Sequence, residues 1–483
     1  MKLHQPIELS FIILKSVFRS LAINRRNCPN AFLDTMRILF LTQYFPPETG
    51  APSNRLSDLA ARLADLGHQV TVLTALPNYP QGVIFDDYRR RFIMTEKRNS
   101  IQVIRSWIFA TRSKNFLPKL INYFSFAILS CIVGAFTVKS TDIVFVESPP
   151  LFLAISGYLL ARMKRAKFVL NISDLWPESA IALGVLRNRH VIRWSVWLER
   201  ELYRRADLVT GQTQGIMAGV RNRWPSTPRA LLTNGVAPEF LMKIAAVRPS
   251  RSKLRQELGF ADKFIVAYTG VHGFSQRLET IVHAAELLSS YKDIQFIFWG
   301  DGPEKPGLEA MILAKRLSNV QFFPSQPSSR MPEVLTSLDV SVVPLARTEL
   351  FKGALPSKLF EALGAGVPVV AAVEGEAKSL VEASGGGIVI EPENAQKMAE
   401  AIVRLFMDAS LRQKLGTDGR NYVAMHYNRK TIAERFENLL LAVKSSSLRI
   451  SAEGTVDSEL QRSTLNLSGE NYQKYSGAEI KNV

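Results

Sequence analysis

The chain has 483 residues, 47% hydrophobic and 21% charged, a balance that excludes a disordered protein and leaves room for two hydrophobic cores. Its two cysteines, Cys28 and Cys131, exclude a disulfide framework, fit no metal-ligand spacing and suit a reducing compartment. The formal net charge of +17 calls for an anionic partner, which nucleic acid, an anionic membrane surface or a phosphorylated substrate would each satisfy.

Residues 1–35 read as a basic N-terminal extension: a short apolar patch follows Glu8, and no small-residue cleavage site follows the patch. At Met36 the pattern becomes strand, loop, amphipathic helix, strand. Leu56, Leu59, Leu63 and Leu66 form one helical stripe that Gly67 ends, which predicts a parallel βαβ unit. Lys and Arg then cluster beside apolar runs, in "DDYRRRF", "TEKRNS", "ATRSKNFLPK", "ARMKRAK" and "WLERELYRRAD", either as solvated faces or as contacts to an anion.

From Leu120 to Val138 there are roughly nineteen uncharged residues between Lys119 and Lys139, close to the ~20 that span a bilayer. Asn122, Ser125, Ser130 and Thr137 interrupt the run. A span, a helix lying in the membrane interface and a buried core helix all fit, and residues 116–138 are expected to face a membrane.

The runs "DIVFVES", "AKFVLNI", "DLVTGQ" and "ALLTNG" read as buried parallel strands. The second half repeats the pattern in "FIVAYTG", "IQFIFWG", "VQFFPS", "VSVVPL", "VPVVAA" and "GGIVIEP". The expected fold is α/β, with two doubly wound Rossmann-like domains facing across a cleft. Their boundaries are set at 36–245 and 246–445, with the junction near 236–262, where prolines and polar residues interrupt the pattern. "YNRKTIAERFENLLLAVKS" is a last helix, and residues 446–483 read as a disordered tail.

Open parallel sheets bind ligands beyond the carboxyl ends of their strands. The loop "QYFPPETGAPSNR" lacks G-x-G-x-x-G and no P-loop occurs, which argues against dinucleotide and P-loop chemistry. The stretch "GALPSKLFEALGAGVPVVAA" is more informative. Ser357 is placed to cap a helix whose free N–H groups form an anion site, Lys358 adds a charge there, and Glu361, one turn in, leans back to the same mouth. A lysine for phosphate and a glutamate for adjacent sugar hydroxyls suit a nucleotide; solvated surface residues are the alternative.

The segments "PSKLFEALGAGVPVVAA", "ILFLTQYFPPETGAPSNRLSDLAARLADLGHQVTVLTALPNYPQG" and "DLWPESAIALG" resemble the retaining family-four glycosyltransferases of GT-B fold. The similarity is to their bacterial polysaccharide branch of colanic-acid and O-antigen, fucosaminyltransferase-like members, and runs from about Met36 to about residue 444. The resemblance implies that Glu361 holds the donor ribose. Many members carry a glutamate eight residues before it; Gly353 stands there, so a contact at that point would come from backbone or from Lys352.

On the donor side, Gly270 and Gly273 would allow close backbone approach, and His272 and Arg277 could reach a diphosphate, although Arg277 lies outside the family's R-x4-K frame and His272 also suits plain packing. On the acceptor side, Asp174 and Glu178 follow a first-domain strand, with Asp174 a candidate for the acceptor hydroxyl or a helix cap; Gly50 and Arg55 complete the rim. Lys358, Arg277 and the helix end would stabilise the departing diphosphate, with Asp174 beside the acceptor.

The expected activity is hexosyl or N-acetylhexosaminyl transfer from a UDP- or GDP-sugar to a lipid-linked, polyprenyl-diphosphate or saccharide acceptor in surface polysaccharide synthesis. Retention is implied by the resemblance, and no metal, cofactor or nucleic acid is expected. The expected location is the cytoplasmic face of the inner membrane, peripheral or monotopic. The rivals are a sugar-nucleotide epimerase of the same fold and a basic membrane-bound scaffold without catalysis.

Overall fold

A computed structural model describes residues 35–113, 115–182, 186–448 and 454–456; the rest of the basic extension and of the tail lies outside the described residues. The first sheet holds β1 (Arg37–Leu41), β2 (Gln69–Ala75), β3 (Ile93–Arg98), β4 (Ile101–Ser106), β5 (Ile143–Ser148), β6 (Lys167–Ile172), β7 (Leu208–Gly211) and β8 (Arg229–Leu231), in the order β3-β4-β2-β1-β5-β6-β7-β8. All neighbours are parallel except β3 and β4, an antiparallel edge hairpin turning at Asn99, whose φ of 52° is left-handed. Within this register Leu41 sits opposite both Leu73 and Val146, so the loops after β1, β2 and β5 leave the sheet at one end.

Helices cover both faces. Those used below are α1 (Ala51–Asp65), α2 (Phe116–Thr137), α3 (Leu151–Lys164), α4 (Glu178–Ala182), α5 (Arg189–Arg205) and α6 (Gln214–Arg223). In α1 the predicted stripe is real: Leu56, Leu59 and Leu63 are buried against β1 and β2 residues such as Ile38 and Val72.

The chain then enters the second domain through α7 (Pro238–Val247), whose Ile244 is fully buried among second-sheet residues. That sheet holds β9 (Phe264–Thr269), β10 (Ile294–Trp299), β11 (Val320–Phe323), β12 (Val340–Pro344), β13 (Val369–Ala372) and β14 (Gly387–Ile390), all parallel, in the order β11-β10-β9-β12-β13-β14. The order in which strands are added reverses at β1/β5 in one sheet and at β9/β12 in the other, the switch points where open sheets bind ligands. Around the second switch point lie α8 (Glu349–Lys352), α9 (Ser357–Gly364) and α10 (Gly375–Ser384).

Three boundaries differ from the sequence reading. The crossover falls at residues 232–237, since Leu232 packs in the first domain while Val236 and Ile244 pack in the second. The last helix, α11 (Arg429–Lys444), returns to the first domain, where Ala433, Phe436, Leu439, Leu440 and Val443 cover the sheet face that α1 shares. Beyond it, residues 454–456 lie against β8, with Val456 buried, so this piece of the expected tail is ordered by first-domain contacts.

The predicted apolar segment is α2. It lies along α3, with Phe126, Ala127 and Val133 in the core and Lys164 of α3 donating to the Ala135 and Val138 carbonyls at its end. Its other flank, Leu117, Ile121, Ile128, Ile132 and Phe136, is exposed, Phe136 to 86%. A helix built into a domain in this way is a surface element, and crossing a bilayer would strip it from α3.

Candidate functional site

The second-domain site is built where β9 and α9 meet. Pro356 is the N-cap of α9 and makes no side-chain cap, so Ser357 is the first helical residue; this corrects the expected capping role, because the proline φ already sets the entry. Of the first-turn N–H groups of α9, that of Leu359 donates to the Pro356 carbonyl at 3.0 Å, and the Lys358 ammonium lies over the Tyr268 ring of β9, 3.8 Å from its centroid, donating to the Tyr268 hydroxyl. That hydroxyl in turn donates to the Val271 carbonyl at 2.6 Å. Gly270 closes the arrangement: its φ is +130°, and a Cβ there would stand 3.0 Å from Lys358 Nζ.

Burial pushes Lys358 down to about 7, with Glu361 opposing the shift. Burial also raises the Glu361 carboxyl, while Arg429 and Lys358 draw it back. Burial therefore disfavours the charged form of both groups, and an incoming diphosphate with hydroxyls beside it would favour the Lys358 cation again.

The remaining donor-side candidates fall differently. His272 is fully buried among Tyr268, Phe298 and Phe322, its ring nitrogens without partners among the described residues. Burial, then Lys305 and Lys358, lower its pKa to about 4. Its surroundings fit the packing role that the sequence also allowed, and its burial makes it a poor source of charge for a diphosphate. Arg277 is half-exposed, with Glu279 at 3.5 Å and Glu393 at 3.6 Å, so carboxylates lie beside its cation. Gly273 has an ordinary extended φ of −113° and is not conformationally required.

Gly353 ends α8 and lies against the first domain rather than offering a side chain: a Cβ there would be 3.2 Å from the Gly215 Cα. From the first turn of α10, Glu376 reaches across to the N-terminus of α6, accepting from Gly215 N at 2.5 Å and Gln214 N at 3.0 Å. Burial raises its carboxyl to about 6, against the pull of those two N–H groups.

On the first-domain side, Asp174 follows β6 and accepts from the Ser179 side chain and the Leu175 N–H, while burial, the larger effect, raises its pKa. Both of its suggested roles remain compatible, since it caps the turn into α4 and is only partly covered. Glu178 is paired with Arg223 of α6, which also binds Glu199 at 2.6 Å; this holds α4 to α6 and corrects its acceptor-side role. Arg55 is buried, donating to Glu147 at 2.6 Å and Ser173 at 2.7 Å, and so supports the Asp174 loop from below instead of lining the rim. Gly50 precedes α1 with an extended backbone and stands beside Tyr79.

Sequence reasoning missed Glu48, whose buried carboxylate accepts from the N–H groups of Phe45, Asn78 and Tyr79 and ties the β1 and β2 loops together. It also missed Tyr268, Glu376 and Arg429. For Tyr268 a signal existed, its place one residue from the end of a buried strand; the others act on groups distant in sequence.

Comparison with known proteins agrees with this architecture. Residues 50–235 match the profile described as "Glycosyl transferase 4-like domain" and residues 250–422 match "Glycosyl transferases group 1". WcaI of Escherichia coli (strain K12), a glycosyl transferase assigned to colanic acid biosynthesis, is 28% identical over 421 residues, covering 83% of this chain and 99% of that one. Among solved structures, sucrose-phosphate synthase from Thermosynechococcus elongatus superposes with a TM-score of 0.67 at 18% identity, over 85% of this chain and all of that one. Anabaena Alr3699/HepE, crystallised with UDP and glucose, gives 0.63 at 19% identity, over 84% of this chain and all of that one. With both halves matched in order and both sheets arranged alike, the chain belongs to the GT-B glycosyltransferases with a family-four first domain and a group 1 second domain.

Proposed function

We propose that the protein moves a hexosyl or N-acetylhexosaminyl group from a UDP- or GDP-sugar to a polyprenyl-diphosphate-linked saccharide, building a surface polysaccharide at the cytoplasmic face of the inner membrane. The observation that carries the donor assignment is Lys358 at the mouth of α9, one turn from Glu361 and backed by Tyr268. In this scheme the α9 N–H groups and Lys358 stabilise negative charge on the departing diphosphate, Glu361 holds the ribose hydroxyls, and Asp174 faces the acceptor hydroxyl. Arg277 is left out of the charge-stabilising set because its carboxylate partners already occupy it.

Support for the polysaccharide assignment comes from WcaI, and for nucleotide-sugar use from HepE, whose crystals held UDP and glucose. Retention of configuration and independence from metal are further parts of the proposal. The membrane clause is supported by the uncovered flank of α2, continued by Leu159 and Met163 on the adjoining α3 and by Trp194 and Trp197 on α5, with exposed Lys119, Lys139, Arg162 and Arg193 among them. Apolar and aromatic side chains bordered by cations suit an anionic lipid surface, and the chain would sit there as a peripheral or monotopic protein.

A panel of UDP- and GDP-sugars screened by thermal shift, followed by product analysis with a lipid-linked acceptor and EDTA, tests the reading. A new glycosidic bond of unchanged anomeric configuration, formed in EDTA, is expected; a new free nucleotide sugar would identify an epimerase instead. Binding of no nucleotide sugar, with membrane binding intact, would favour the scaffold.

A further inference from the structure

We propose that Glu376 is a positioning residue that clasps the two domains in the arrangement needed for sugar transfer, by capping the first-domain helix α6 from the second domain. The inference rests on the reading of the cleft as the transfer site.

An α-helix begins with four N–H groups that lack partners inside the helix. In α6 one of them, that of Ile216, is met by the helix's own Thr213 hydroxyl at 3.1 Å. Two more, those of Gln214 and Gly215, are met by Glu376, a residue of the other domain. The carboxylate also faces the positive end of the α6 dipole, so the contact combines two hydrogen bonds with a favourable field.

The backbones around the clasp are as close as atoms allow. A Cβ on Gly215 would stand 2.7 Å from the Gly353 Cα and 3.2 Å from Glu376 Oε1, so glycine on both sides is what lets the domains meet here. This also accounts for the glycine at 353, where a longer residue would hold the cleft open. The nearest carboxylate to that point is Glu376 itself, 4.0 Å from where a 353 side chain would begin.

The clasp bears on the acceptor side through α6. A Cβ on Gly219 of α6 would lie 2.5 Å from Leu175 Cδ1, and Arg223 at its end is paired with Glu178. Leu175 and Glu178 flank the Asp174 loop. Holding α6 against the second domain therefore fixes the distance from Asp174 to the mouth of α9. At another part of the domain boundary the link is lighter, a single exposed bond of 3.0 Å from Asn54 to Ser328.

Two variants from opposite domains test the clasp. Glu376→Ala removes the acceptor, and Gly215→Ala inserts a methyl group at the point of closest approach. Spin labels at Asp87→Cys and Leu313→Cys, in a chain with Cys28 and Cys131 replaced, report the interdomain distance without substrate. Both variants are expected to broaden and lengthen that distance, and to lower kcat about 10-fold to 100-fold with the donor KM within about twofold. Glu376→Gln, which keeps one acceptor, is expected to fall between wild type and Glu376→Ala.

An unchanged distance distribution in both variants would overturn the clasp, and a widened one with normal kcat would overturn its role in transfer. Loss of kcat together with loss of UDP and GDP binding would also overturn it, since the residue would then belong to the donor site. A wild-type protein inactive on every nucleotide sugar would remove the transfer reading, while the distances would still decide the clasp.

Discussion

The two domains share one plan, a parallel sheet between layers of helices, yet they place their unsatisfied chemistry at different ends. In the second domain it gathers at the strand ends: Lys358, Glu361 and the open turn of α9 lie half-buried in the cleft, with little water to compensate them. In the first it lies on the flank, where α2, α3 and α5 leave apolar and aromatic side chains uncovered, while the polar residues near the cleft are tied together, Arg55 to Glu147 and Glu178 to Arg223. Under the proposed function, one region would meet a small, highly charged molecule and the other a broad, weakly structured surface. Fold alone does not distinguish them, since the sheets are built alike.

The largest test of this contrast is Lys358→Ala. Loss of a preorganised cation facing the leaving group should lower turnover by ~10²–10³-fold while the protein still binds anionic vesicles. Near-normal turnover would show that the mouth of α9 is not where charge develops. The complementary change is Phe136→Asp. Removing one large apolar contact and adding a negative charge should weaken binding to anionic vesicles by about 10-fold to 100-fold, with transfer to a short water-soluble acceptor unchanged. If vesicle binding persists, the flank is not the contact surface.

A pH series sharpens the donor side. Lys358 has a pKa of about 7 in the free protein, and a bound diphosphate would raise it, so donor binding should take up a proton. Affinity for UDP or GDP should therefore be highest below pH 7 and fall as the pH rises above it, by up to about tenfold per unit. Calorimetry in two buffers of different ionisation enthalpy measures the proton directly, and no uptake near pH 7.5 would contradict the assignment. In the ligand-free protein the same depression makes the unfolded chain the better proton binder between about pH 7 and 10.5, so this group's contribution to stability improves as pH rises through that window. The smallest effect is expected from Arg277→Ala, about two- to threefold on turnover, because Arg277 is half-exposed and has Glu279 and Glu393 beside it.

The sequence made the strands of both cores plain where they are short, apolar and fully covered, as in "DIVFVES" and "FIVAYTG", since burial on both faces leaves little choice of residue. It hid the hairpin of β3 and β4, because an edge strand exposed on alternate residues carries Glu96, Lys97 and Arg98 and reads as a charged cluster. Lys358 and Glu361 were legible because helix geometry places residues a turn apart at one mouth. His272 and Arg277 were only half legible for a single reason: a residue's type states what it can bind, but that Phe298 and Phe322 pack around one and Glu393 lies near the other depends on strands and loops far along the chain. Glu376 left no local trace, as its partners are backbone N–H groups, which every residue but proline has.

The return of α11 to the first domain has a consequence for how the molecule is made. The apolar wall that Phe436, Leu440 and Val443 supply to β1 and β5 is the last helix described in the chain, whereas those strands emerge from the ribosome long before it. During synthesis the first domain must wait with only α1 on that side of its sheet, and the part that α11 covers exposed, until the second has been completed. The two lobes are thus one unit of production, and a chain cut after β14 would yield a first half that is born exposed and prone to self-association.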